Sequence, residues 1–174
     1  DLYSSDFFSQ GGSYWYSLGI LHDMEGSDRY TAGQYSQGSG IHLSFAALLD
    51  DAGDDTYDAY AGLEQGNSHD WSSGCLEDAS GNDTYRGSNS SQGSALTVAF
   101  AWLLDGGGND QYYAMLSDTS QSQGGGREAR VREAGSLGML IDLGKGTDYY
   151  VDKRVQPGHE LIKGNKGIVW DDGE

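Results

Sequence analysis

Two aspartates recur together along this chain, one in a Leu-x-Asp step and one in a Gly-x-Asp-x-Tyr step. Asp78 and Asp83 are one such pair, five residues apart. Residues 1–126 hold 18 acidic residues and only two basic ones, Arg29 and Arg86. Lysine and arginine therefore cannot neutralise these carboxylates, which must either point into solvent or share cations.

The paired aspartates belong to an internal repeat of about 27 residues. Gly-x-Asp-x-Tyr occurs five times, and its aspartates are spaced by 27, 28, 27 and 38 residues from Asp28 onwards. A Gln-Gly step runs in phase with it at Gln10, Gln37, Gln65, Gln92 and Gln123. Self-similarity at such a period is the signature of a repeat architecture.

Each repeat consists of short segments that favour strands. Asp55-Thr56-Tyr57-Asp58-Ala59-Tyr60 alternates in polarity, and runs such as Phe45–Leu49 and 98–104 are small and apolar between glycines. These lengths and flanks are typical of β-strands. We predict an all-β fold: one domain, 1–174, forming a parallel β-solenoid of about six coils of 27–29 residues. A strand-plus-helix coil of leucine-rich-repeat size is the alternative, but its leucine signature is missing.

Stacked coils would place equivalent side chains in ladders about 4.8 Å apart. The tyrosines predict a ladder of stacked rings. The glutamines predict a ladder of amide-to-amide hydrogen bonds. The aspartates are the difficulty, because two carboxylates about 5 Å apart repel by roughly 3 kcal/mol at an effective dielectric constant of about 20. Several such contacts would consume the roughly 5–15 kcal/mol by which a domain is stable.

The turn between the paired aspartates resembles a known calcium-binding motif. Asp105-Gly106-Gly107-Gly108-Asn109-Asp110-Gln111-Tyr112 and Asp78-Ala79-Ser80-Gly81-Asn82-Asp83-Thr84-Tyr85 are similar to the nonapeptide Gly-Gly-x-Gly-x-Asp-x-U-x of RTX proteins, where U is a large apolar residue. The resemblance covers about nine residues of each repeat, and RTX coils are shorter. It implies Ca²⁺ bound between neighbouring coils by carboxylates and backbone carbonyls. The ligands it implies are Asp23, Asp28, Asp50, Asp55, Asp78, Asp83, Asp105, Asp110, Asp142 and Asp148.

The structural alternative is that these aspartates only stabilise turns through hydrogen bonds to the backbone. Turn chemistry accounts well for one aspartate per turn. It accounts poorly for two stacked aspartates per turn without cations.

The fifth repeat is longer and holds an irregular loop at about 117–136. Insertions in solenoids emerge on one face, which is often a binding face. Arg127, Arg130, Arg132 and Lys145 make it the one place for a catalytic base, so a calcium-dependent polysaccharide-active enzyme of the lyase type is the alternative function. No histidine has a motif around it, and we do not expect an enzyme.

Charge and composition restrict the partners and the location. The net charge of −17 argues against nucleic acid. No stretch approaches the roughly 18 apolar residues of a membrane span. The single Cys75 excludes a disulfide framework and is expected to be a small buried residue. Asn82 and Asn89 match the glycosylation sequon, which is frequent by chance in such a chain.

We expect an extracellular or cell-surface structural or adhesive protein, with copies of itself and surface glycans as partners. Gly173-Glu174 followed by Asp1-Leu2-Tyr3 would restore the motif, and neither end is expected to carry a capping repeat. The chain is accordingly expected to be a segment of a tandem array or of an end-to-end filament.

Overall fold

The chain folds as a parallel β-solenoid of about six coils. A computed structural model describes residues 1–114, 123–127, 134–156, 158–163 and 166–173. The strands of successive coils stack in register in three sheets. The described ranges hold no helix that could cross a membrane. The predicted fold class is confirmed.

The first sheet, here called the tyrosine sheet, begins each coil. It consists of β1 (Leu2–Ser4), β4 (Arg29–Ala32), β7 (Thr56–Ala59), β10 (Thr84–Arg86), β13 (Gln111–Tyr113) and β16 (Tyr149–Tyr150). The second sheet is made of two-residue strands. These are β2 (Ser13–Tyr14), β5 (Gly40–Ile41), β8 (Ser68–His69), β11 (Ala95–Leu96) and β14 (Gly126–Arg127).

The third sheet, here called the leucine sheet, holds the longest strands. It consists of β3 (Leu18–Asp23), β6 (Phe45–Asp50), β9 (Ser73–Asp78), β12 (Phe100–Asp105), β15 (Leu137–Asp142), β17 (Glu160–Lys163) and β18 (Gly167–Asp171). Leu103 pairs with Leu76 on one side and with Leu140 on the other, so β3, β6, β9, β12 and β15 place their leucines and aspartates in line, and β18 continues both columns with Val169 and Asp171. Strand pairing thus follows the repeat, because a slip of one residue would turn the buried leucine outwards.

The core lies between the tyrosine and leucine sheets. Tyr30, Tyr57, Tyr85 and Tyr112 are fully buried there, as are Leu48, Leu76, Leu103 and Leu140. Successive tyrosine rings are stacked with centroids 4.7–5.0 Å apart and planes within 2–4°. The predicted tyrosine ladder is confirmed. Cys75 is buried as expected, and burial raises the pKa of its thiol to about 12.

The glutamine positions also stack, but their hydrogen bonds differ from the prediction. Gln92 Nε2 donates to the carbonyls of Tyr85 (3.3 Å) and Tyr113 (2.9 Å) rather than to a neighbouring amide. Gln65 Nε2 does the same with the carbonyls of Tyr57 and Arg86. Each glutamine has a positive φ of 48–57°. The side chains of Gln10, Gln37, Gln65 and Gln92 each bond to carbonyls of two adjacent strands of the tyrosine sheet. An amide-to-amide ladder forms elsewhere, where Asn109 Nδ2 donates to Asn82 Oδ1 at 2.9 Å.

The last coil differs from the others, which corrects the expectation that neither end carries a cap. β17 pairs antiparallel with β18, with Leu161 opposite Val169. It thereby occupies the edge of the leucine sheet that another coil would use, as capping elements of solenoids do. At the opposite end β1, β2 and β3 are the edge strands of their sheets, and Leu2 of β1 is 71% exposed.

The irregular segment expected at 117–136 is only partly described. Residues 115–122 and 128–133 lie outside the described ranges, as do Arg130 and Arg132. Gln123 and Gly124 stack on the Gln-Gly step of the preceding coil as in the other coils, and the N–H of Gly124 donates to the carbonyl of Gln92 at 2.7 Å. The coil therefore returns to register before β14.

Candidate metal centres

Each of the six parallel strands of the leucine sheet ends on an aspartate whose carboxylate accepts a backbone N–H of the following turn. Asp105 Oδ1 accepts the N–H of Gly107 at 2.8 Å, and Asp78 Oδ1 accepts the N–H of Ser80 at 3.2 Å. Bonds of this kind to the backbone two residues on are typical of aspartate turns. The alternative that the aspartates stabilise turns therefore holds in part, because one oxygen of each of these aspartates accepts a backbone N–H of its turn.

The second oxygen of the same carboxylates faces the core and accepts a tyrosine hydroxyl. Tyr57 and Tyr85 donate to Asp78 Oδ2 and Asp105 Oδ2, both at 2.8 Å. The tyrosine and aspartate of each pair are about 20 residues apart and belong to opposite sheets. The tyrosine ladder therefore both fills the core and fixes the orientation of one aspartate ladder.

The second aspartate ladder comes from the Gly-x-Asp-x-Tyr step and bonds along the solenoid axis. Asp83 Oδ1 accepts the N–H of Asp55 at 2.7 Å, and Asp110 Oδ1 accepts the N–H of Asp83 at 2.7 Å. The other oxygen of each carboxylate is buried and has no hydrogen-bond partner. These oxygens are the Oδ2 atoms of Asp28, Asp55, Asp83, Asp110 and Asp148.

Contact between coils requires the glycine two residues before Asp55, Asp83, Asp110 and Asp148. A Cβ added to Gly81 would lie 1.7 Å from the carbonyl oxygen of Gly53, and one added to Gly108 would lie 1.5 Å from that of Gly81. Only glycine permits this approach. A column of backbone carbonyl oxygens thus runs along the solenoid beside the unpartnered carboxylate oxygens. The absence of a Cβ at these glycines lets the coils stack closely there.

The two ladders meet in five clusters of three carboxylates. In each cluster one oxygen from every aspartate lies within 4.8 Å of the others. A cluster takes a Gly-x-Asp aspartate from each of two successive coils and the Leu-x-Asp aspartate that precedes the second. The five are Asp1/Asp23/Asp28, Asp28/Asp50/Asp55, Asp55/Asp78/Asp83, Asp83/Asp105/Asp110 and Asp110/Asp142/Asp148.

The structure brings all ten predicted aspartates into these clusters. Asp1 is added to them, and its place was indicated by the Asp1-Leu2-Tyr3 match to the repeat. Asp148 joins the fifth cluster despite the extra residue between Asp142 and Asp148, and its Oδ1 accepts the N–H of Asp110 at 2.8 Å. The Gly-x-Asp aspartates Asp28, Asp55, Asp83 and Asp110 each belong to two clusters, whereas a Leu-x-Asp aspartate belongs to one.

Burial makes the ionised form of these carboxylates costly. Desolvation, followed by the charges of Asp50 and Asp23, raises the pKa of Asp55 to about 7. Desolvation likewise raises the pKa of Asp142 to about 7, with Asp105 and Asp148 adding to the effect. Burial also raises the pKa of Asp83 well above its usual range, and the nearby Asp78 contributes.

No basic side chain relieves this charge within the described residues. Arg29 and Arg86 both bind Asp58 instead, at 2.8 and 3.1 Å, on the exposed side of the tyrosine sheet. Without a cation, protons must neutralise the clusters. With one, the unpartnered Oδ2 atoms and the neighbouring cluster oxygens form the hard, flexible oxygen donor set that Ca²⁺ prefers. The residues present therefore suit a calcium ion in each cluster.

Sequence reasoning missed two features of this interior. The pairing of each tyrosine with a specific aspartate had no signal in sequence spacing. Glu64 is fully buried in the place where the other coils carry serine before Gln-Gly. Its Oε1 accepts the hydroxyl of Ser88 at 2.7 Å, while burial raises its pKa to about 7.

The residues considered for catalysis do not assemble into a site among the described residues. Lys145 is exposed in the turn between β15 and β16, and the backbone of Arg127 lies in β14. Asn82, a sequon match, is exposed, and its Nδ2 donates to Asp54 Oδ1 at 2.9 Å. Comparison of the chain with protein families, with curated proteins and with solved structures found no match.

Proposed function

We propose that this chain is a calcium-stabilised solenoid that serves as an extracellular structural or adhesive element. The observation that carries the proposal is the column of five unpartnered, buried aspartate oxygens, all of them on carboxylates that belong to the clusters. A buried polar atom without a partner is costly, and a buried carboxylate is costlier still unless it is paired or binds a metal. Five divalent ions would carry ten positive charges against eleven cluster carboxylates.

The structural role follows from where the ions would lie. Each would join adjacent coils by carboxylates from both, so that calcium stiffens the rod along its axis. Surface glycans are the ligand class that we propose for an adhesive role.

We further propose that coils of this kind continue end to end, either as periods of a longer tandem chain or as separate rods joined through the exposed strand edges of β1, β2 and β3. The exposed strand edges and apolar side chains of β1, β2 and β3 support this. β17 blocks continuation of the leucine sheet at the other end, so the contact there would use the tyrosine sheet and the two-residue strands. Electron microscopy of the calcium-loaded protein tests this, since particles no longer than a single rod would contradict it.

Calcium stoichiometry provides the sharpest test of the ion sites. Asp83 belongs to two clusters and Asp78 to one, so Asp83→Asn should remove two ions and Asp78→Asn one. Asp51→Asn, at an exposed aspartate that pairs with His22, is the control and should remove none. Bound calcium is measured by equilibrium dialysis and elemental analysis.

The thermal stability of the wild-type protein should rise with calcium and fall with EGTA. A wild-type protein that binds no calcium and melts at the same temperature with either would contradict the proposal. Equal losses in Asp83→Asn and Asp78→Asn would contradict the shared arrangement of the clusters.

A further inference from the structure

The leucine sheet is apolar on both faces. Its inner face packs on the tyrosine ladder, while the outward side chains form three columns across the six parallel strands. The first column is Leu18, Phe45, Ser73, Phe100 and Leu137. The second is Ile20, Ala47, Cys75, Trp102, Met139 and Ile168, and the third is His22, Leu49, Glu77, Leu104, Ile141 and Trp170.

This outer face carries little charge in a strongly acidic molecule. Glu77 and His22 are its only titratable side chains on the six parallel strands apart from the buried Cys75, with Lys166 and Glu160 at its C-terminal border. The Glu77 carboxylate accepts Trp102 Nε1 at 2.7 Å, so it already has a partner within the face. Leu18, Phe45, Phe100, Leu137 and Trp170 are between 37% and 66% exposed.

A parallel sheet with continuous apolar strands is normally covered on both faces. Six strands at about 4.8 Å and six residues at about 3.3 Å give an area of roughly 600 Å² for this face. Two such faces in contact would bury roughly 1,200 Å², which reaches the range of specific protein interfaces.

We propose that this face binds the same face of a second copy, with the two solenoid axes antiparallel. A two-fold axis that lies in the interface, parallel to the strands and between β9 and β12, reverses the order of the coils. It therefore sets β9 against the partner's β12, β6 against the partner's β15 and β3 against the partner's β18. All six parallel strands are matched by this one operation.

Side-chain size favours this arrangement over the other face-to-face pairing. The axis between β9 and β12 sets Phe100 opposite the partner's Ser73. It sets Trp102 opposite the position of the partner's Cys75, a small side chain that is already buried in its own sheet. It also sets Met139 opposite the partner's Ala47, so that at the centre of the face large side chains meet small ones, while towards its ends Phe45 meets the partner's Leu137. Glu77 meets the partner's Leu104 rather than a second carboxylate.

The alternative two-fold axis, parallel to the solenoid axis, sets each coil against itself. Trp102 would then oppose the partner's Trp102 and Ala47 the partner's Ala47, which overfills one coil and leaves space in another. Dense packing at an interface core therefore favours the first arrangement.

A size-exchange experiment tests both the dimer and its register. Sedimentation of the wild-type protein should show a dimer that tightens with salt, because each copy carries a net charge of −17 away from the face. Phe100→Ser and Ser73→Phe should each weaken the dimer about tenfold or more, since one leaves a void and the other overfills the contact. The double variant restores a large residue opposite a small one and should recover affinity to within about threefold of wild type.

Phe7→Ser is the matched control, because Phe7 is 57% exposed but lies outside the leucine sheet, and it should leave the dimer unchanged. A melting curve for each variant separates loss of association from loss of folding. A wild-type protein that is monomeric at every concentration overturns the proposal, and so does a monomer that instead binds neutral lipid vesicles. A double variant no tighter than the singles overturns the register. The calcium sites lie inside the solenoid, so failure of this dimer leaves the ion stoichiometry test unaffected.

Discussion

At the scale of single residues, the interior contains two kinds of aspartate that differ in their hydrogen bonds. The Leu-x-Asp carboxylates have partners for both oxygens, a backbone N–H and a tyrosine hydroxyl, as Asp105 shows. The Gly-x-Asp carboxylates have a partner for one oxygen and leave the other free, as Asp83 shows. The Leu-x-Asp carboxylates are therefore held in place by the protein at both oxygens, whereas the Gly-x-Asp carboxylates supply the oxygen that lacks a partner.

The tyrosine hydroxyls should contribute measurably to stability. Tyr85→Phe keeps the ring stacked between Tyr57 and Tyr112 but removes the donor to Asp105, and leaving a buried acceptor unpaired costs about 1–3 kcal/mol. The free energy of unfolding, measured in urea, should fall by that amount.

Tyr60→Phe makes the same chemical change at an exposed site, where the hydroxyl donates to Asp6. Its effect should be within about 0.5 kcal/mol. Equal decreases in the free energy of unfolding of the two variants would show that the buried hydrogen bond contributes no more to stability than the exposed one.

At the scale of elements, the distance between coils depends on glycine at the turn before β10 and β13. Gly81→Ala would place a methyl carbon 1.7 Å from the carbonyl oxygen of Gly53, which the backbone can relieve only by moving a coil. We expect a loss of about 3 kcal/mol in the free energy of unfolding, at the upper end for overpacking.

Ser80→Ala changes the exposed neighbour of Gly81 and should cost no more than about 0.5 kcal/mol. The calcium titration of both variants is informative as well, since Gly81→Ala displaces the turn that carries Asp83. A Gly81→Ala protein as stable as Ser80→Ala would mean that the coils are less closely stacked than the structure shows.

The strands themselves follow from local sequence more simply. Phe45–Leu49 and 98–104 were predicted as strands from their small apolar residues, and β6 and β12 include most of them. Their lack of alternation indicates burial on both faces. The tyrosine ladder covers one face, and the proposed second copy would cover the other.

At the scale of the whole molecule, stability without calcium should decrease as pH rises. The carboxyls of Asp55 and Asp142 have folded pKa values of about 7, whereas an aspartate in the unfolded chain has a pKa of about 4. Between these values the folded protein holds protons that the unfolded chain has released, so its free energy of unfolding falls with each step in pH. We expect the melting temperature in EGTA to drop by about 5 °C or more between pH 5 and pH 8.

Calcium should reverse this trend, because it binds the deprotonated carboxylates and its affinity rises with pH. The melting temperature at saturating calcium should therefore be steady or rising over the same range. Parallel pH profiles with and without calcium would indicate that neither ion nor proton occupies the clusters as inferred.

The sequence by itself determined the repeat, and with it the solenoid, the tyrosine ladder and the ten aspartates. It could do so because residues one coil apart stack whenever a chain winds with a fixed period, as Tyr57, Tyr85 and Tyr112 do. Tertiary structure alone decided that Asp55 joins Asp78 and Asp83, that Gln92 bonds to backbone carbonyls, and that β17 turns antiparallel over the last coil. These depend on where side chains from different coils and sheets meet in three dimensions, and the repeat period specifies only which residues are equivalent.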